Sequence, residues 1–420
     1  MPPRTPRRRD LSLLLPARTT RAALLGSLAA LAACQAPAGR PTPHVDDDEK
    51  SDKGKAKPRA KVDAKAAKAA KTDKTQKPAE YDGGLGRPVA SLAGETHLKN
   101  IRQLTFGGEN AEAYFSFDEQ QLILQSTRDG ASCDQIYSMS LAQKVAEPVV
   151  TRVSSGKGRT TCAYWLPDSA RVLYASTHAA ADDCLPPPDR SHGYVWKLYP
   201  EFDIYTAAPD GGDIKPLVQG PGYDAEATIS PLGDAIVFTS TRDGDPEIYR
   251  MNIDGSGLKR LTNARGYDGG PFFSADGSKI IYRANHPEGE DELSKYEAIQ
   301  KDHLVFPTRL ELFIMDADGA NQRQLTRNGK ANFAPYFHPD GTRVIFSSNL
   351  KAPRGRNFDL YMLELPAPGE EAGEPEQITF NETFDGFPMF TRDGKRLVFA
   401  SNRGNAKEGD TNVFLAEWVD

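Results

Sequence analysis

The sequence predicts an all-β fold: a six-bladed β-propeller of four-stranded blades, closed by an N-terminal strand at about 101–105 that completes the last blade. Three observations predict it. The stretch EIYRMNIDGSGLKRLT from Glu247 returns 64 residues later as ELFIMDADGANQRQLT from Glu311. A strand–turn–strand unit built on Asp-Gly, or a worn form of it, recurs six times. The last unit lacks its fourth strand, and one surplus strand precedes the first unit.

Taken in order, the chain opens with Arg4, Arg7, Arg8, Arg9, Arg18 and Arg21, followed by AALLGSLAALAA and Cys34. A basic region ahead of a short apolar run reads as a signal peptide over residues 1–33. LAAC, ending at Cys34, resembles the lipobox of bacterial lipoproteins. That resemblance implies that the Cys34 thiol is lipidated, which would anchor the chain on a membrane. Gln35 after the cysteine implies the outer membrane, with the protein facing the periplasm. Residues 34–80 are dense in Lys, Ala, Pro and Asp and show no apolar periodicity, so they are expected to form a disordered tether. A coil of this length spans about 40 Å.

Charge divides the chain in two. Residues 1–80 hold 18 of the 52 Lys and Arg, and the remaining 34 face 49 Asp and Glu in residues 81–420. An acidic body is a poor match for nucleic acid, which requires a basic face. Beyond the N-terminus no apolar run reaches the length of a membrane span.

Residues 81–98 form a lead-in, and the propeller is expected over 99–420. Its first two strands align as AEAYFSFDEQQLILQST, TCAYWLPDSARVLYAST, AEATISPLGDAIVFTST, YDGGPFFSADGSKIIYRAN, ANFAPYFHPDGTRVIFSSN and FDGFPMFTRDGKRLVFASN. Each pairs a short strand, a tight turn and a strand rich in Val, Ile and Phe. Third strands follow in QIYSMSL, DIYTAAP, EIYRMNI, ELFIMDA, DLYMLEL and NVFLAEW, and fourth strands in segments such as LKRLT and QRQLT. IRQLT (101–105) has no blade of its own, so it is expected to clasp the sixth and remove the ring's free edges.

These repeats resemble TolB-type propeller blades. The shared features are the LT, the aromatic–x–x–Asp-Gly turn, the S-x-R/N ending strand two and the IYxMNxDG-like third strand, over about residues 100–420. The resemblance implies an envelope protein that binds another protein on one face of the propeller. TolB carries an α/β domain ahead of its propeller, whereas here a lipobox and tether take that place, so the Tol translocation role is not carried over.

In this topology the loops from strand two to three share a face with the entries to strand one. We call it the loop face; the Asp-Gly turns lie on the opposite, turn face. The long insertions, 178–201 and 285–309, and shorter ones at 350–357 and 402–411, all fall on the loop face, where binding usually resides. The strand-one entries carry Asn110, Glu112, Tyr223, Asp224, Glu226, Tyr267, Asp268, Asn332, Phe384 and Asp385. Around the channel mouth they would form an acidic and amide ring suited to a basic or hydrogen-bonding partner. Individually, such Asp and Asn residues also cap turns.

Cys133, Cys162 and Cys184 fall on the loop face of blades one and two, so a disulfide between two of them is expected in an oxidising envelope, the pair left open. His178, His192, Asp182 and Asp183 match no metal-ligand spacing, and neither metal nor cofactor is expected. No G-x-S-x-G elbow occurs, the histidines are scattered, and His338 reads as an exposed turn neighbour. No residue reads as catalytic. The expected function is a monomeric, non-enzymatic envelope lipoprotein that docks a protein or peptide on the loop face. The alternatives are a carbohydrate-binding or carbohydrate-active propeller, and a structural wall-associated lipoprotein.

Overall fold

Asp-Gly hairpins and alternating apolar residues build six antiparallel blades around one axis in the computed structural model, which describes residues 81–191, 193–352, 357–405 and 407–420. The expected signal peptide, Cys34 and the tether lie outside the described residues, as does His192. The blades span 109–152, 160–218, 224–260, 267–324, 332–377 and 385–418, the last joined by strand Leu98–Gln103. In every blade the first strand lies nearest the axis and the fourth at the rim.

The repeated residues each have a structural task. In blade four, Gly277 turns at φ 73°, where a side chain would be strained, and Asp276 Oδ1 accepts the Ser278 N–H at 3.0 Å. The recurrent LT threonine caps strand three. Thr262, Thr326, Thr379 and Thr105 accept the N–H groups of Ile248, Leu312, Leu360 and Val413 at 2.8–2.9 Å. Neighbouring blades are stitched by one recurrent backbone bond. The first N–H of strand one reaches the carbonyl just ahead of the previous blade's third strand, as in Asp224 to Phe202 (2.9 Å) and Asn332 to Leu310 (3.1 Å). Asn110 to Thr411, at 2.9 Å, makes the same stitch between blades one and six and shuts the ring.

Closure follows the expected clasp, with shifted bounds. Strand Leu98–Gln103 pairs with Asn412–Trp418, and Leu104 N–H extends the ladder to Val413 at 2.8 Å. The clasp begins three residues early because Leu98, Ile101 and Leu104, at 0%, 1% and 0% exposure, are the side chains it buries. A fifth strand, Arg87–Pro88, pairs outside it, so part of the lead-in belongs to the sheet. Proline tolerates this outermost place, where no neighbour needs its missing N–H.

The two long insertions do not run as separate loops. Trp196–Lys197 of blade two pairs with Leu304–Val305 of blade four, and Val195, Ile299 and Leu304 pack together beneath. Between Asn285 and that strand the chain forms helix α1 (Gly289–Gln300), with Glu290, Asp291 and Glu292 in its first turn, where acids suit the helix dipole. Tyr296 and Ile299 are its buried side chains. A disulfide joins Cys133 of blade one to Cys184 in the blade-two insertion, resolving the open pairing. His338, expected at the surface, is 5% exposed and packs against the Phe390 and Trp418 rings at 4.6 and 6.2 Å.

Candidate functional site along the propeller axis

Each first strand slips register against the second, as between Ala111 and Tyr114 or Ala225 and Thr228. The bulged residues are Glu112, Cys162, Glu226, Gly270, Ala334 and Phe387, all at positive φ between 47° and 60°. A left-handed residue costs roughly 1–2 kcal/mol without glycine, so five of the six hold backbone strain. The bulge turns these side chains inward, where they line a cavity of about 20 Å³, room for one water. Second strands help hold the bulges: Gln125, Thr239 and Ser347 accept the N–H groups of Cys162, Gly270 and Phe387 at 3.2 Å.

This waist concentrates charge. Glu226 accepts hydrogen bonds from Thr239 (2.6 Å) and the Gly270 N–H (2.8 Å), and pairs with Arg283. Glycine at 270 is required, since a Cβ there would stand 2.0 Å from Arg283 Nη1. Glu112 is 2% exposed, and its Oε1 has no partner among the described residues. Burial pushes the Glu112 carboxyl well above its usual range, with the Glu226 charge adding and Arg283 opposing.

On the loop face the insertions stopper this channel. Arg283 lies 5.2 Å from the Trp196 ring and 5.7 Å from Tyr267, and both rings are buried. The ten residues expected to ring the mouth are all 8% exposed or less. Glu112, Glu226 and Tyr267 meet at the waist, where Tyr267 donates its hydroxyl to Glu226 at 3.4 Å. Asn110, Asp224, Asp268 and Asp385 hold Arg128, Arg242, His286 and Arg403 at 2.9, 2.7, 3.0 and 3.1 Å, while Asn332 donates to Leu310 O at 2.7 Å. Tyr223 packs on Phe202, and Phe384 on Phe358 and Phe387. All ten are buried: Asn110, Asp224, Asp268 and Asp385 bind side chains within their own blades, while Glu226, Asn332, Tyr223 and Phe384 contact a neighbouring blade.

Toward the turn face the channel opens. Two residues past the bulges stand Tyr114, Tyr164, Thr228, Phe272, Tyr336 and Met389, with Tyr114, Tyr164 and Tyr336 packed on Phe272 at 5.6–6.3 Å. Beyond them lies a funnel of about 180 Å³, its rim carrying Phe117, Glu119, Pro231, Ala275, Pro339 and Arg392. Sequence reading passed over this end because its turns are short. It also passed over Arg283, whose one available signal was a charge inside the apolar run IIYRAN.

Residues 195–308 match the family profile of the TolB beta propeller domain. Over that segment the propeller is similar to the TolB type. It is 27% identical over 223 residues to a protein TolB homolog of Chlorobium luteolum, covering 52% of this chain and 43% of the relative, less than half its length. The structure of putative TolB from Agrobacterium tumefaciens is similar with a TM-score of 0.48 and 18% identity, covering 74% of this chain and 91% of that one. An oligogalacturonate lyase in complex with manganese gives 0.44 and 14%, covering 80% and 99%. Among the described residues of this chain, no three His, Cys, Asp or Glu stand together as a metal site.

Proposed function

We propose that this chain is a non-catalytic cell-envelope lipoprotein, anchored through Cys34 in the outer membrane facing the periplasm, whose loop face docks a protein or peptide. The observation that supports docking is the second layer on that face. Helix α1 and the rest of the blade-four insertion line a pocket of about 220 Å³ that includes Tyr296, Val305, Phe306 and Arg309. Phe306 is 37% exposed there, an anchor of the kind that dominates interfaces. The buried acidic ring lies beneath and gives the layer a rigid base.

Affinity capture of envelope proteins on the mature chain, with cross-linking, tests this reading. One protein should be enriched on the native chain and reduced at least tenfold on Phe306→Ala/Arg309→Ala. Equal capture by both chains would remove the loop face as the docking surface. Binding of envelope polysaccharides instead would favour the carbohydrate reading.

A further inference from the structure

The funnel on the turn face is not used by the docking reading, and its chemistry is specific. Its floor is apolar: Tyr164, Phe272, Tyr336 and Met389 close the channel below it. Burial pushes the Tyr164 hydroxyl up to about 12, against a hydrogen bond with Tyr336 and the charge of Arg392. Both hydroxyls therefore stay protonated, and both lie within reach of Arg392's field.

Arg392 and Glu119 are the charged residues of the rim. The Arg392 guanidinium lies 5.0 Å from the Phe117 ring centroid, and the Arg392 backbone N–H, not its side chain, donates to Glu119 Oε1 at 2.6 Å. The other Glu119 oxygen faces Arg396 at 3.5 Å. Among the described residues no carboxylate pairs with the Arg392 guanidinium, although Arg396 of the same blade pairs with Glu119 and Arg403 with both Glu95 and Asp385. An exposed arginine held flat on an aromatic ring keeps its outer N–H edge for an anion.

The volume sets the size of the guest. A cavity of about 150 Å³ accommodates benzene, so a funnel of about 180 Å³ has room for one six-membered ring with a small substituent. We propose that the turn-face funnel is a binding site for a single aromatic ring bearing a carboxylate, the ring stacked on Tyr164, Phe272 and Tyr336 and the carboxylate bound by Arg392. Such a ligand is either a free aromatic acid or a peptide ending in Phe or Tyr. A shallow groove of about 380 Å³ adjoins the mouth, shares Phe117, Pro231 and Arg392 with it, and passes the exposed Leu232. That groove would carry the chain of a peptide ligand.

Calorimetry on the full chain tests the site, with phenylacetate, phenylacetamide, and a pentapeptide ending in Phe as free acid or amide. The carboxylates should bind, the amides should bind at least tenfold more weakly, and Arg392→Ala should erase that preference while Arg392→Lys keeps most of it. Tighter binding of the free-acid peptide than of phenylacetate assigns a peptide source; the reverse assigns a small acid. No binding of either acid to the native chain, or equal binding by Arg392→Ala, overturns the proposal. Phe306→Ala/Arg309→Ala should bind phenylacetate normally, so failure at the loop face and failure at the funnel are separable.

Discussion

Glu226 and Arg283 sit at 4% exposure each, deep enough that neither charge is screened by bulk water. Burial alone works against the Arg283 charge, yet the Glu226 carboxylate beside it holds its pKa above the usual arginine value. An ion pair so buried adds little over an apolar pair, but removing one partner strands the other. Arg283→Met should therefore cost about 3–5 kcal/mol in urea denaturation. Glu226→Gln in the same chain should restore part of the loss; a single mutant within about 1 kcal/mol of native would refute the pairing as a structural requirement. The adjacent Glu112 differs: its Oε1 has no partner among the described residues, and burial pushes its carboxyl up.

At the scale of the element, the acidic entries to strand one act in pairs with strand three of the preceding blade. Asp268 at the entry of blade four and Glu247 in strand three of blade three form one such pair, each leaving one carboxyl oxygen without a partner among the described residues. Burial and the Asp268 charge push Glu247 up to about 7, although Arg260 stands 2.5 Å away. The ion pair and the raised value conflict, and burial prevails, since the Glu247 side chain is 0% exposed while Arg260 lies partly in solvent. Asp359 is pushed up to about 8 by burial and by Asp385, and Glu109 to about 7 by burial and Asp134. All three are carboxyls raised above their unfolded values, so their stabilising contribution is complete at low pH. It is lost as pH climbs from about 4, where unfolded carboxyls ionise, to about 8. Melting temperature should fall from pH 5 to pH 8, and Glu247→Gln with Asp359→Asn should flatten the slope. A midpoint that rises across that interval would contradict the raised values.

For the whole molecule the decisive element is the clasp. A ring of blades is only as stable as its last joint, and an unclasped Asn412–Trp418 would present a free edge. Leu98, Ile101 and Leu104 contribute roughly 2 kcal/mol each by burial, about 6 kcal/mol together. A chain beginning at residue 106 should lose this and aggregate on heating, whereas one beginning at residue 90 should melt near the native temperature. Equal melting of the two would mean that closure does not rest on the fourth strand. The Cys133–Cys184 bond acts at the same scale, pinning the blade-two insertion to blade one.

The blade count, the strand order and the clasp were legible because they rest on local chemistry that repeats: Asp-Gly or a worn form of it at each hairpin, Thr at four of the caps, period-two apolar strands. One copy can be misread, but six aligned copies cannot all be chance. The candidate site was legible only as positions. Asp224, Asp268 and Asp385 were found at equivalent places, but their burial was not, nor was the meeting of Trp196 and Val305 across two blades, a contact between residues more than a hundred apart. Helix α1 was hidden inside an insertion that has no repeat to compare with. The funnel was invisible for the same kind of reason, since Tyr164, Phe272, Tyr336 and Arg392 come from four blades and converge only when the ring closes. Short-range hydrogen bonding and strand periodicity, written in neighbouring residues, thus determined the architecture of this protein. Which carboxylates are buried, which end of the channel is open and which arginine is unpaired were decided by long-range packing, which tertiary structure alone supplies.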